Sequence, residues 1–231
     1  MKKQSGFTLI ELAIVLVIIG LLLGGVLKGQ ELINSAKVKN LVTDFKNVQV
    51  FMYGYQDKYK AIPGDDALAK TQHLPSLDAA ASTGGTLGNG LIEGVWNTQT
   101  NTDESCRFWQ QVRAANLVNG STTVDCASSA STYVPRNAEG GRIGIQSIGG
   151  ATPFATITSD SAGTANTGMA GAFVVCSEGI QGKLAIQIDV TLDDGNPEAG
   201  SVRITDAATS PKSVTRAGIS DSGAYTVCYS F

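Results

Sequence analysis

The strongest constraint on this chain is a long, mostly apolar run near its start, from Phe7 to Leu27. Its 21 residues are close to the roughly 20 that an α-helix needs to cross the hydrocarbon core of a bilayer. Lys2 and Lys3 precede the run and Lys28 follows it. Positive charge on the short leading side favours a cytoplasmic amino terminus. We therefore predict one membrane-spanning helix.

Glu11 is the only ionisable residue inside this run. A charged side chain at the centre of a membrane costs roughly 2.5 to 3.5 kcal/mol on insertion scales, so an acid in such a segment is a functional hypothesis by default. The carboxylate requires a partner that neutralises it. The alternative is a residue of an ordinary anchor that lies near the lipid headgroups.

The helical pattern continues beyond the apolar run. From Ser35 the apolar residues narrow to one stripe with a spacing of three or four, formed by Val38, Leu41, Val42, Phe45, Val48, Met52, Tyr55 and Tyr59. No proline interrupts the pattern before Pro63, and the sequence IPGDD at 62–66 is typical of a helix stop. We predict one helix from Phe7 to Tyr59, apolar all round in its first half and amphipathic in its second half.

The start of this helix carries a specific motif. Residues 6–11 read GFTLIE, after a short basic leader and before the apolar run. This arrangement resembles the processing signal of type IV prepilins and of the pseudopilins of type II secretion. The resemblance implies that a membrane-embedded prepilin peptidase cuts between Gly6 and Phe7 and methylates the new amine of Phe7. It also implies that Glu11 neutralises the terminal amine of a neighbouring subunit.

Electrostatics agrees with that implied role. Cleavage before Phe7 would create a cation at the start of the helix, and Glu11 lies one turn away on the same face. Neutralisation removes much of the cost of burying a lone carboxylate. A charge pair between subunits would also fix the axial register of two apolar helices, which otherwise slide past each other with little penalty.

The resemblance also sets expectations for organisation, partners and location. It implies a leader at 1–6 that is removed, an assembly helix at 7–60 and a periplasmic or extracellular head at 61–231. The implied partners are copies of the chain and other pilins in a helical filament, the prepilin peptidase and an inner-membrane assembly platform. The chain would first be a single-pass protein of the bacterial inner membrane and then part of a periplasmic or cell-surface filament. The large head favours a minor or specialised subunit.

Short segments with strand character follow in the head. Strands are predicted at Arg142–Ser147, Phe154–Thr158, Ala172–Cys176 and Tyr225–Phe231. The secondary structure of residues 183–192, KLAIQIDVTL, stays open. The alternation of their apolar residues favours a strand, but Leu184, Ile188 and Leu192 would also line one helix face.

A second helix is predicted from Thr102 or Asp103 to Leu117, with Trp109 in the core or an interface. The short strands favour an antiparallel sheet, and the resemblance implies that the sheet packs against the second half of the long helix. The predicted fold class is α+β, a long amino-terminal helix on a carboxy-terminal antiparallel sheet with long loops.

The four cysteines are Cys106, Cys126, Cys176 and Cys228. None lies in a C-x-x-C pair or near the single histidine, so zinc is not expected. Two disulfides would suit an oxidising compartment, while four buried thiols would suit the cytosol. Of three possible connectivities we favour Cys106 with Cys126 and Cys176 with Cys228. In the family that the chain resembles, a disulfide often ties the terminal region, a role that the second pair resembles.

Charge and motifs argue against catalysis and against nucleic acid as a default partner. The chain has 17 Lys and Arg against 20 Asp and Glu, a net charge of -3, whereas phosphate binding requires a basic surface. His73 stands alone in a polar loop, where a surface role is expected. No nucleophile elbow is present. We therefore predict a protein that is not an enzyme.

An acidic turn is the remaining candidate for a ligand site. The sequence DVTLDDGNPEAG at Asp189–Gly200 gathers Asp189, Asp193, Asp194 and Glu198, and calcium binds oxygen ligands of this kind. The spacing does not match an EF-hand, and Asp-Gly and Asn-Pro are ordinary turn residues. We favour a solvated turn without a cofactor and keep calcium as the alternative.

Two functions inside the family stay open, a type IV pilus subunit and a pseudopilin of type II secretion. The alternative from another class is a membrane-anchored module that binds calcium or a glycan. That alternative would not depend on prepilin peptidase.

Overall fold

The computed structural model describes residues 8–77, 85–128, 132–149, 168–206 and 213–231. Their elements in chain order are α1 (Leu9–Tyr59), a π-helical turn (Ala69–His73), α2 (Glu104–Ala114), β1 (Ile143–Ser147), β2 (Phe173–Gln181), α3 (Gly182–Leu192), β3 (Val202–Thr205), a 3-10 turn (Arg216–Gly218) and β4 (Ala224–Ser230). The α+β fold class is confirmed. The strand predicted at Phe154–Thr158 lies outside the described residues.

Helix α1 is continuous, as its pattern predicts, although the chain divides into two compact units at Lys39 and Asn40. In the first unit the large apolar side chains from Leu9 to Ile33 are exposed, as for Leu16 at 69%. The helix is long and apolar enough to cross a membrane. It ends where Lys60 adopts a left-handed backbone with φ of 55°, three residues before Pro63.

The second unit contains the rest of α1, and here one helix face is covered. Its buried stripe consists of Leu41, Val42, Phe45, Val48, Met52 and Tyr55. The Phe45 ring meets Tyr229 of β4 edge-on at 6.2 Å, and the Tyr53 ring meets Phe231 at 6.0 Å. Burial of a large apolar side chain contributes about 1.5 to 3 kcal/mol. The second half of α1 therefore packs on the sheet, as expected.

The sheet has four described strands in the order β1-β2-β4-β3, and each neighbouring pair is antiparallel. The two central strands, β2 and β4, contain consecutive buried residues because the sheet packs against neighbouring elements; α3 contacts β2, β3 and β4. Strand β3 was missed from sequence: it has only four residues, all of them buried. The other three strands overlap the segments predicted at their positions.

Residues 183–192 form a helix, so the preference for a strand was wrong. Leu184, Ala185 and Ile188 are buried at helical spacing, whereas Val190, which alternation would place on one face with Leu184 and Ile188, is 58% exposed. Strand β2 ends at Gln181 and already pairs with β1 and β4. The chain leaves the sheet at this point and continues as α3, which packs on the sheet because its apolar residues have helical spacing.

Helix α2 ends at Ala114, three residues before the predicted end. Asn116 adopts a left-handed backbone with φ of 59°, and the Leu117 N–H returns to the Val112 carbonyl. This is a typical helix terminus. Trp109 is 2% exposed and belongs to the core.

Candidate functional site

Thr8 and Glu11 form reciprocal hydrogen bonds at the first turn of α1. The Thr8 N–H donates to Glu11 Oε2 at 2.8 Å and the Thr8 hydroxyl donates to the same oxygen at 2.9 Å. The Glu11 N–H donates back to Thr8 Oγ1 at 3.3 Å. This reciprocal arrangement is a capping box, which satisfies backbone donors that have no partner inside the helix.

This local role of Glu11 was not predicted, although a Thr followed three residues later by Glu before an apolar run is a capping-box signature. The hydrogen bonds that Glu11 accepts from described residues all end on Oε2. Its Oε1 atom is thus placed to accept from a further donor. Gly6 and Phe7, the expected processing residues, lie outside the described residues.

The helix around Glu11 offers apolar surface in every direction. Exposure of its large apolar side chains runs from 46% at Ile19 to 89% at Leu9. Four glycines interrupt this surface, and apart from the adjoining backbone of the helix itself, no atom of the described chain lies within 4 Å of an added Cβ at Gly20, Gly24, Gly25 or Gly29. Each glycine weakens a helix by about 1 kcal/mol relative to alanine. Contacts within the described chain do not explain them.

Two disulfides cross-link the head. Cys176 of β2 and Cys228 of β4 are direct cross-strand partners with a Cα–Cα distance of 4.0 Å. Cys106, in the first turn of α2, joins Cys126 in the following loop. The bridges close segments of 52 and 20 residues. Cross-links over loops of this size stabilise a fold by about 3 to 4 kcal/mol, largely by restricting the unfolded chain.

The predicted acidic segment begins in the last turn of α3, which contains Asp189, and continues into the loop that follows. Asp189, Asp193 and Asp194 place carboxylate oxygens within 4.8 Å of one another, and Glu198 is outside this group. Burial raises the pKa of Asp189 to about 7, and the charges of Asp194 and Asp193 add to the increase. The Arg216 guanidinium and the Gly195 backbone amide lower that pKa by less.

His73 is not the simple surface residue that the sequence analysis expected. Its Nδ1 lies 2.7 Å from Asp66 Oδ2, which also accepts the Tyr55 hydroxyl at 2.7 Å. The imidazole stacks on the Tyr59 ring at 5.1 Å. Only about 20% of the His73 side chain is exposed. The histidine therefore helps to hold the π-helical turn against the second half of α1.

Two further buried acids hold the loop before α2. Asp65 accepts backbone N–H groups from residues 88–90, and Glu104 Oε2 accepts the Glu93 N–H at 2.8 Å. Burial raises the pKa of Glu104 to about 7; the Glu93 N–H opposes this shift, and the charges of Asp65, Glu93 and Asp103 add to it. These contacts give both acids a structural role.

Comparison with known proteins gives one positive finding. Residues 1–27 match the family described as the prokaryotic N-terminal methylation motif. The matched segment includes the basic leader, GFTLIE and the apolar run. No curated protein and no solved structure is significantly similar to the chain. The chain thus carries the amino-terminal methylation motif that is the signature of the type IV pilin and pseudopilin family.

Proposed function

We propose that this chain is a pilin-like structural subunit, of the minor or specialised kind, that assembles into a type IV pilus filament. Prepilin peptidase cuts between Gly6 and Phe7 and methylates Phe7, and the processed subunit then packs its α1 helix among those of other subunits. One observation carries the proposal: the methylation motif at residues 1–27 leads directly into a helix with uncovered apolar side chains on all sides.

The exposed first half of α1 supports both stages of the proposed function, the membrane-anchored subunit and the assembled filament. Apolar surface removed from water contributes about 25 cal/mol per Å², and a helix that is apolar all round is typical of a membrane span or a buried core. Lipid would cover residues 9–27 before assembly. Neighbouring α1 helices would cover them in the filament, with the heads outward.

The capping box adds detail to the assembly step. In the proposed filament the Phe7 ammonium of a neighbouring subunit pairs with the Glu11 carboxylate. Glu11 Oε2 is engaged by Thr8 inside its own helix, so Oε1 is the atom that would receive the incoming cation. One carboxylate would then both cap its helix and fix the register between subunits.

The processing step is tested by mass spectrometry of the mature amino terminus, in cells with and without prepilin peptidase. We expect a chain that begins with methylated Phe7 when the peptidase is present and the intact leader when it is absent. Cleavage near Gly25, as by an ordinary signal peptidase, would contradict the proposal.

The assembly step is tested by separating the charge of Glu11 from its capping role. Glu11→Gln keeps a side chain that can complete a capping box but removes the charge, whereas Glu11→Ala removes both. We expect both variants to insert and to be processed, and both to be lost from sheared filaments.

Glu31→Gln is the matched control for this test. Glu31 lies on the same helix and is exposed, and its carboxylate pairs with Lys28 at 2.6 Å. We expect normal incorporation of this variant. Normal incorporation of Glu11→Gln together with loss of Glu11→Ala would contradict the charge pairing and leave only the capping role.

A pseudopilin of type II secretion is the second candidate, because the same motif marks both kinds of subunit. The two functions differ in the machinery that they require. Loss of the chain from filaments when the pilus assembly platform is deleted supports the pilus subunit. Dependence on the secretion platform instead, with a defect in export of folded proteins, would support the pseudopilin.

A further inference from the structure

The last turn of α3 and the loop that leads to β3 bring three carboxylates together, and one of them, Asp189, is fully buried. Oxygens of Asp189, Asp193 and Asp194 lie within 4.8 Å of one another. Asp189 is 0% exposed, and neither of its carboxylate oxygens has a partner in hydrogen-bonding geometry; the Gly195 amide has only the smallest of the influences on its pKa. Asp65, another buried acid, accepts N–H groups on both of its oxygens. A buried ionised carboxylate without such donors is costly, so Asp189 requires either a proton or a cation beside it.

The backbone of the turn orients the other two carboxylates. Asp193 Oδ2 accepts the N–H groups of Ser201 at 2.5 Å and Val202 at 3.0 Å, at the start of β3. Asp194 Oδ1 accepts the Asn196 N–H at 2.8 Å. Each carboxylate is therefore held through one oxygen while the second oxygen stays available as a ligand.

The charge around this turn is unbalanced. Asp193, Asp194, Glu198 and Asp189 all act electrostatically on the buried guanidinium of Arg203. Arg216 acts on Asp189 and donates to the Gly195 carbonyl at 3.0 Å. When Asp189 is ionised, four carboxylates against these two guanidinium groups leave an excess of two negative charges. One divalent cation would neutralise that excess.

We propose that the turn binds one divalent cation, Ca²⁺ in preference to Mg²⁺, through Asp189, Asp193 and Asp194. Both ions prefer oxygen ligands, but Ca²⁺ accepts six to eight of them in irregular geometry, whereas Mg²⁺ requires near-ideal octahedral geometry. An irregular turn that supplies three carboxylates suits the larger ion, and water or backbone carbonyls complete its shell. The ion joins the end of α3 to the start of β3, and the site is independent of filament assembly.

The test is calorimetric titration of CaCl₂ into the full-length chain in detergent, after removal of metal with a chelator. We expect saturable binding of one Ca²⁺ per chain, at least tenfold weaker binding of Mg²⁺ in a parallel titration, and a higher melting temperature with Ca²⁺. Asp194→Asn should weaken Ca²⁺ binding at least tenfold without lowering the melting temperature of the metal-free protein, because Asp194 is exposed. Asp189→Asn should abolish binding.

Asp221→Asn serves as the control, since Asp221 is an exposed acid in the loop before β4, and it should bind Ca²⁺ like the unmodified chain. The absence of saturable binding at millimolar Ca²⁺ would overturn the proposal. Unchanged binding by Asp194→Asn would overturn the ligand assignment even if Asp189→Asn failed to fold. Equal affinity for Mg²⁺ would overturn the assignment to calcium.

Discussion

Two stretches of the same helix differ in what covers them. In the first unit Leu16 is 69% exposed, and its large apolar neighbours from Leu9 to Leu27 are exposed as well. In the second unit Leu41 is 1% exposed, within a stripe that packs on the head. The second half of α1 completes a core within its own chain. The first half finds no such core among the described residues; in the proposed function lipid or other chains cover it.

The difference follows from how the apolar residues are distributed. A stripe with helical spacing gives a helix one face to bury and one face for water, which suits attachment to a soluble head. A helix that is apolar all round has no face for water, and its backbone polar groups are already paired within the helix, so hydrocarbon is a suitable surrounding. The two halves of one helix can therefore suit two different environments.

Removing residues 1–28 is the most direct test of the difference between the two halves of α1. We expect complete loss of membrane association and a folded, soluble head, because the described large apolar side chains of this segment are not buried. Cell fractionation measures the first effect, and the circular dichroism melting temperature measures the second. A truncated chain that aggregates or melts much earlier would mean that the first half of α1 contributes to the core of the head.

A matched pair of leucines tests the same difference at single residues. Leu41→Ala should lower the free energy of unfolding by about 3 kcal/mol, because it removes buried methyl groups and leaves a cavity. Leu16→Ala should change it by less than about 0.5 kcal/mol, as is usual for exposed positions. Urea denaturation of the full chain in detergent measures both values. Similar losses for the two variants would contradict the distinction between the two halves.

The smallest effect concerns pH and belongs to the head alone. Burial raises the pKa of Glu104 to about 7 from its ordinary value of 4.5, so the folded state favours the protonated acid. The stabilisation that follows is complete below pH 4.5 and is lost as the pH rises through about 7. We expect the free energy of unfolding to fall by roughly 2 to 3 kcal/mol over this window, since one pKa unit corresponds to about 1.4 kcal/mol and the full difference between 4.5 and about 7 is an upper limit.

Glu104→Gln is the variant that isolates this contribution. Its amide oxygen can still accept the Glu93 N–H, and its side chain does not titrate. Denaturation in chelator between pH 4.5 and 8 should therefore show a shallower pH dependence, although Asp189, whose pKa is also raised to about 7, keeps a slope of the same sign. An unchanged slope would exclude Glu104 as a source of the pH dependence.

Most of the fold could be predicted from the sequence because its elements depend on local residue patterns. The apolar run, the stripe of α1 and its stop before Pro63 depend on neighbours within a few residues, and so does the capping box of Thr8 and Glu11, which was readable but missed. The short strand β3 could not be predicted, because four residues carry too little pattern and its pairing partner β4 lies about 20 residues further along the chain.

By itself, the sequence determined that the chain begins with a methylation motif and an apolar helix, since those features are properties of adjacent residues. Only the tertiary structure decided that residues 183–192 form a helix, because alternation and helical spacing coincide there and the adjacent sheet selects between them. The helical conformation of this segment also decided which groups surround Asp189. Burial depends on what packs against a residue, and distant parts of the chain supply those neighbours.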